Sequence, residues 1–348
     1  MGRGSGSPGI IMTRTPLRVS FAGGGTDLAV FYEKEPGAVF STAITRYVYV
    51  TVKRHSELFL GRPDGAPEGA GAVRINYSRG EEVATIDEIK NDIARECLRF
   101  MDIGPPIYVS TIGDVPASTG LGGSSAFAVG LLNALHAYRG ERVSAGQLAE
   151  EACHVEIEML GEPIGKQDQY ASAFGGANVF RFTSDGAVTV QHMRMTTGLR
   201  DELFGNLLLF WTGHQRDASD VLSVQQKNTD AEFDRLRKMR DQVASLQDIV
   251  SSGHCDLTEF GRILDEGWQL KRGIVDGISN GTIDQMYERA IRAGALGGKL
   301  CGAGGGGLLM FVVPPERHLS VRTALADLPE LEIDHEVHGS QVVVPFHD

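Results

Sequence analysis

At 348 residues the chain exceeds one typical core of about 100–150 residues, which predicts two domains. Its 42% hydrophobic and 22% charged content suits a folded globular protein, and its 44 glycines follow no G-X-Y period, which excludes collagen-like and low-complexity readings. A net charge of −12 disfavours nucleic acid and anionic membranes as main partners, and no stretch of about 18 apolar residues is present to span a bilayer.

Residues 1–9 lack the apolar segment of a signal peptide and read as a tag or disordered tail. Residues 10–22 alternate in β-prone fashion and predict a strand, as do 43–53, rich in β-branched and aromatic residues. Residues 61–71, with Pro63, Gly65, Pro67 and Gly69, predict a flexible loop or hairpin tip. Helical spacing of Ile89, Ile93, Cys97, Leu98 and Met101 predicts a helix over 87–101, followed by a strand at 107–112. The apolar run from Ser124 to Tyr138 predicts a buried helix, and 143–160 a further one, broken by Gly161, Glu162 and Pro163. Strands are expected at 186–192 and 207–211, then one long helix over 220–251 with an apolar stripe of Phe233, Leu236, Met239, Val243 and Leu246. Helices at 257–278 and 282–295 and strands at 308–313 and 341–346 complete the chain. Strands and helices mix throughout without an internal repeat, so the class is α+β, with a boundary near 195–205. Cys97, Cys153, Cys255 and Cys301 make no C-x-x-C pair or zinc pattern, which fits a reduced, cytoplasmic compartment.

Three glycine-rich segments stand out: RVSFAGGGTD at 18–27, PASTGLGGSSA at 116–126 and KLCGAGGGG at 299–307. Glycine lets backbone approach a ligand closely, and successive inward N–H groups make an anion-binding concavity. Together they suggest one phosphate site and phosphoryl transfer. In the central segment Gly120, Gly122, Gly123, Ser124 and Ser125 lie after a strand and before a helix, where unpaired N–H groups and the helix dipole favour an anion. A serine at the helix start can offer its hydroxyl to Mg²⁺ or to a phosphate oxygen; a tight turn with a serine cap is the plainer alternative. A Walker A loop is excluded, because Ala293 stands where its first glycine belongs and Leu300 follows Lys299. The dinucleotide pattern G-x-G-x-x-G fails from Gly120, because Ser125 occupies its last position.

These motifs, in this order, resemble those of the superfamily of galactokinase, homoserine kinase, mevalonate kinase and phosphomevalonate kinase, and the likeness covers nearly all of the chain after residue 10. The resemblance implies a ribosomal-protein-S5-like N-terminal domain (10–200) and a ferredoxin-like C-terminal domain (201–348), with ATP and Mg²⁺ in the cleft between them. It places Gly120, Gly122, Gly123, Ser124, Ser125, Gly304 and Gly305 on the ATP phosphates, and Ser124 on the metal, with Ser125 able to substitute. Glu156, or Glu158 on the same helix, would help hold Mg²⁺. The segment GKQDQ at 165–169 resembles the family's G-x-x-D-Q, making Asp168 the catalytic carboxylate; a helix cap is its structural alternative. Arg18 would stabilise charge on the migrating phosphoryl group.

Gly24, Gly25, Thr26 and Asp27 would line the acceptor, with Asp27 on sugar hydroxyls. Galactokinases carry Glu-His where this chain has Gly24 and Gly25, which implies a larger sugar. The first and third segments look most like those of the bacterial D-glycero-D-manno-heptose 7-phosphate kinases, which phosphorylate the anomeric O1. A phosphosugar needs a second basic site, and Arg216 and Lys166 are the residues placed there; Arg14, Lys271, Arg272 and Lys299 are further candidates. A kinase of a free sugar such as fucose, and a non-catalytic regulator that binds sugar and ATP, are the competing readings. Homodimerisation is left open by the sequence. His154 and His214 read as core or surface rather than as metal ligands.

Overall fold

The computed structural model describes residues 9–54, 72–215 and 218–345; most of the expected tail, the expected loop at 61–71 and Arg216 lie outside the described residues. From the N-terminus, β1 (Ile11–Ala22), α1 (Ala29–Tyr32), β2 (Gly37–Arg54), β3 (Val73–Asn76), β4 (Gly80–Val83), α2 (Asp92–Phe100) and β5 (Ile107–Gly113) lead to α3 (Gly123–Tyr138). There follow α4 (Ala145–Cys153), α5 (Gln167–Phe174), β6 (Ala177–Phe182), β7 (Val188–Met193), α6 (Thr197–Gly205) and β8 (Leu207–Trp211). The remainder is α7 (Ala218–Asn228), α8 (Phe233–Ser251), α9 (Leu257–Arg272), α10 (Gly281–Ala293), β9 (Gly297–Leu300), β10 (Leu308–Val312), α11 (His318–Ala324), β11 (Glu330–Leu331) and β12 (Gln341–Pro345).

The strands among the described residues form two sheets. In the first, 18-residue β2 is long enough to serve two partners on one edge: its start pairs with β6 and its end with β5, while its other edge pairs with β1. The β1–β2 register slips between Pro16 and Leu17, where proline has no N–H for the ladder. The second sheet, β11-β8-β10-β9, is antiparallel.

Helix α3 is apolar nearly all round because it is sandwiched: it packs on β1 and β2 and is covered by α2, α4 and α5. Helix α8 joins the two halves. It packs on α9 and also on β1 and β2, so Val243, Leu246 and Val250 enter the core built by the first sheet. At that seam Phe21 meets Phe260 edge-on at 5.2 Å. A second core gathers Phe210, Trp268, Tyr287 and Phe311 around the smaller sheet.

Two expectations need correction. The single helix over 220–251 is two helices, α7 and α8, separated at 229–232, where Thr229 Oγ1 donates to Gln225 O and the chain turns. The helix over 143–160 becomes a π-turn at His154–Met159. Strand β12 returns to pair with β1, so the last strand belongs to the first sheet. We propose that the domain division at 200/201, which falls inside α6, is better drawn after Gly205, with β12 assigned to the N-terminal half.

Candidate active site

A cleft of about 820 Å³ runs between the two halves. The central glycine segment forms one wall of it, the one expected to hold phosphates. Gly120 and Gly122 adopt left-handed φ of 81° and 76°, which turns the chain from β5 into the start of α3. Gly122, Gly123, Ser124 and Ser125 then line the cleft at the end of a 16-residue helix, whose first N–H groups have no intrahelical acceptor. A methyl group on Gly123 would meet nothing within 4 Å, so this wall is open to a ligand.

The late glycine segment crosses the central one at van der Waals contact. A methyl group on Gly120 would lie 2.4 Å from Cys301 O, and one on Gly302 2.5 Å from Gly120 Cα. Only glycine permits this crossing, and Gly302 and Ala303 thereby reach the cleft.

Arg18 and Asp168 meet at the centre. Arg18 Nε donates to Asp168 Oδ1 at 2.7 Å and Nη2 to Oδ2 at 2.6 Å, a bidentate pair. Arg18 Nη1 also donates to Gly120 O at 2.7 Å, so one buried guanidinium ties the catalytic candidate to the phosphate wall. Beside them Asp27 accepts from Gly25 N at 2.9 Å and Gln167 N at 3.2 Å. Burial, and then the nearby Asp168 charge, push its carboxyl up.

The π-turn settles which acid faces inward. It brings Glu156, 2% exposed, into the cleft lining, where it accepts from Gln169 Nε2 at 2.7 Å and lies near Ser125. Burial raises its carboxyl to about 7, with Ser125 and Gln169 pulling the other way. Glu158 points to the surface and pairs with His154 at 2.8 Å. Ser124 and Ser125 both line the cleft; Ser125 is buried near the acid, whereas Ser124 is exposed.

Two lysines reach the cleft from the C-terminal half. Lys271 donates to Gly302 O, and Lys299 to Phe21 O at 3.2 Å. Leu17, Val48, Ile93, Ile112 and Val115 add apolar side chains to the lining. Gly24, Gly25, Asp27, Gln167 and Gln225 form its floor.

Several expected residues are placed elsewhere. Lys166 does not line the cleft: its Nζ donates to Gly186 O at 2.7 Å and lies over the Tyr32 ring. Thr26 is fully buried, and its hydroxyl closes the acceptor loop on Gly23 O and Ala38 O. Gly304 packs on Ile278, and Gly305 N donates to Ile278 O, so both shape the late loop rather than line the cleft. Arg14 engages Gln341, and Arg272 pairs with Asp284, both outside the cleft lining. The sequence reading passed over Glu162 and Gln225. Neither belongs to a glycine-rich segment, and nothing in their spacing marks them.

Two family models match the chain: GHMP kinases N terminal domain over residues 87–176, and GHMP kinases C terminal over 251–328. The chain is 29% identical over 319 residues to a D-glycero-alpha-D-manno-heptose 7-phosphate kinase from Campylobacter jejuni, covering 90% of this chain and 93% of that one. It is 25% identical to an L-fucokinase/L-fucose-1-P guanylyltransferase from Bacteroides fragilis, covering 91% of this chain and 36% of that one. The fold is that of a D-glycero-D-manno-heptose 1-phosphate kinase from Bacteroides thetaiotaomicron, with a TM-score of 0.77 at 24% identity over 97% of this chain and all of the other.

Proposed function

We propose that this chain, which belongs to the GHMP kinases and is an ATP-dependent phosphotransferase with an alcohol acceptor, phosphorylates the anomeric O1 of D-glycero-D-manno-heptose 7-phosphate. The product is the 1,7-bisphosphate, a precursor for nucleotide-activated heptose. The observation that carries this reading is the open acceptor floor next to Asp168: a methyl group on Gly24 would meet only Gln167 Nε2, at 3.8 Å. Space of that kind suits a sugar larger than a hexose, and the likeness to the Campylobacter jejuni kinase over 90% of this chain supports a phosphorylated heptose.

In this reading ATP lies with its base against Leu17, Val48 and Ile112 and its phosphates on the start of α3. Asp168 orients the O1 hydroxyl and takes its proton as the O1–Pγ bond forms and the bond from Pγ to the ADP oxygen breaks. Arg18 holds both Asp168 oxygens and adds positive charge beside the transferred group. The Ser125 hydroxyl and Glu156 carboxyl offer the hard oxygen donors that Mg²⁺ prefers, and a buried acid with only neutral partners fits a cation. Mg²⁺ bound there would neutralise triphosphate charge. A cytoplasmic location fits this chemistry, and no helix among the described residues is long and apolar enough to cross a membrane.

The test is ADP release with Mg·ATP and heptose 7-phosphate, compared with heptose 1-phosphate, free heptose, fucose, galactose and mannose 6-phosphate. Turnover confined to heptose 7-phosphate supports the proposal. Turnover on fucose alone would favour the free-sugar reading, and none on any sugar a regulator.

A further inference from the structure

We infer that Lys271 and Lys299 form a paired cradle for the phosphate that the acceptor sugar already carries. The inference rests on the proposed phosphosugar acceptor and names the residues that would read it.

Lys271 sits in the last turn of α9 and Lys299 on β9. Each is 8% exposed, and each reaches the cleft lining. Their described hydrogen bonds are to single backbone carbonyls, Gly302 O and Phe21 O, which leaves most of each ammonium's donors unspent. No carboxylate among the described residues comes within ion-pair distance of either; the nearby Asp168 is committed to Arg18, and Asp27 to backbone N–H groups. A buried cation without a counter-charge is strongly unfavourable, and a second beside it adds repulsion. Burial pushes Lys271 down to about 8, and burial plus Lys271 pushes Lys299 to about 7. A protein with net charge −12 keeps such a pair where an anion completes it. A phosphate monoester, carrying about −1.5 to −2 near neutral pH, balances two ammonium groups.

Position favours the acceptor's phosphate over those of ATP. The start of α3 and the Ser125–Glu156 pair already serve the nucleotide wall. Lys299 is anchored on Phe21, whose strand runs directly into the Gly23–Gly25 acceptor loop. The group being transferred is the rival occupant, because Gly302, the anchor of Lys271, touches Gly120 of the phosphate wall.

The experiment uses the full chain and Lys299→Met, Lys271→Met and Lys299→Arg variants. Steady-state kinetics on heptose 7-phosphate should show KM for the sugar rising about 10- to 100-fold in each Met variant, as expected for losing a charge-assisted contact. Turnover number and KM for ATP should change little, and Lys299→Arg should recover part of the loss. A fall in turnover number at constant sugar KM would overturn the inference and move the pair to the transferred group. Because a Met variant could fail to fold, wild-type protein is also titrated with inorganic phosphate. Inhibition competitive with the sugar and not with ATP supports the cradle; no inhibition, or competition with ATP alone, overturns it. Should heptose 7-phosphate not turn over while another phosphosugar does, the same inhibition pattern measured on that phosphosugar would keep the cradle and reject only the heptose; turnover confined to unphosphorylated sugars would overturn the cradle.

Discussion

Replacing Asp168 by Asn tests the centre of the site with a change of one atom. The amide keeps Oδ1 as an acceptor for Arg18 Nε, but its NH₂ then faces Arg18 Nη2, donor against donor, where a 2.6 Å charge-assisted bond stood. Loss of a positioned proton acceptor predicts a fall in turnover of about 10²–10⁴. Stability should fall as well, because Arg18 loses its counter-charge while only 5% of its side chain is exposed. Breaking a fully buried pair costs about 3–5 kcal/mol. Asp168 is 24% exposed, and Arg18 keeps Gly120 O, so about 1–3 kcal/mol is expected after allowing for solvent screening. The assay is ADP release at saturating substrates, with ATP affinity measured separately by calorimetry and melting temperature by scanning fluorimetry. ATP affinity should stay within about threefold of wild type, since the role proposed for Asp168 is on the acceptor hydroxyl. A variant turning over within tenfold of wild type would refute the assignment of Asp168 as proton acceptor. Equal losses in turnover and ATP affinity would refute its placement.

Other outcomes follow from the same geometry. Glu156, raised to about 7, should bind Mg²⁺ more tightly as pH rises from 6 to 8, and Glu156→Gln should flatten that trend in Mg²⁺ titrations of activity. Because its folded value lies above the ordinary 4.5, the wild-type protein loses stability as pH climbs from about 4.5 to about 7; denaturation midpoints at pH 5 and pH 8 should diverge less in Glu156→Gln. Lys299 and Lys271 discharge between about pH 7 and 9 in the free protein, so KM for a phosphosugar should rise over that range, and a flat profile would argue against the lysine pair. Gly120→Ala combines a left-handed φ of 81° with a 2.4 Å approach to Cys301 O, and strain plus overpacking should cost about 2–5 kcal/mol in urea unfolding. A loss below about 0.5 kcal/mol would mean that the two loops do not cross in contact.

The glycine segments were legible because their geometry has few other solutions. Gly120, Gly122 and Gly302 sit at positive φ, and two of them touch another backbone, constraints that show directly as residue type. Strand β1 and helix α3 were legible through periodicity and a long apolar run. The choice between Glu156 and Glu158 was not. Both lie on one expected helix, and only the extra residue of the π-turn settles which side chain turns inward. The burial of the basic residues was hidden for a related reason. A lysine on an amphipathic helix reads as solvated surface, and the burial of Lys271 depends on α9 packing against β9, a contact with no local signature. Lys166 stands two residues before Asp168, but neighbours at the start of a helix point in different directions, and its ammonium goes to Gly186. The break at 229–232 was hidden because the apolar stripe resumes beyond it.

The pairing of β12 with β1 has a consequence for synthesis. Residues 11–22 leave the ribosome more than three hundred residues ahead of the partner that closes their outer edge. At roughly 5–20 residues per second the wait is on the order of tens of seconds. Throughout it the first sheet presents a row of unsatisfied N–H and C=O groups to its surroundings. Protease sensitivity of stalled nascent chains ending at residue 335, compared with released full-length protein, would measure how much protection that last strand supplies. The N-terminal half of this kinase is thus begun early and completed late, and loss of β12 is felt first at β1, some three hundred residues upstream.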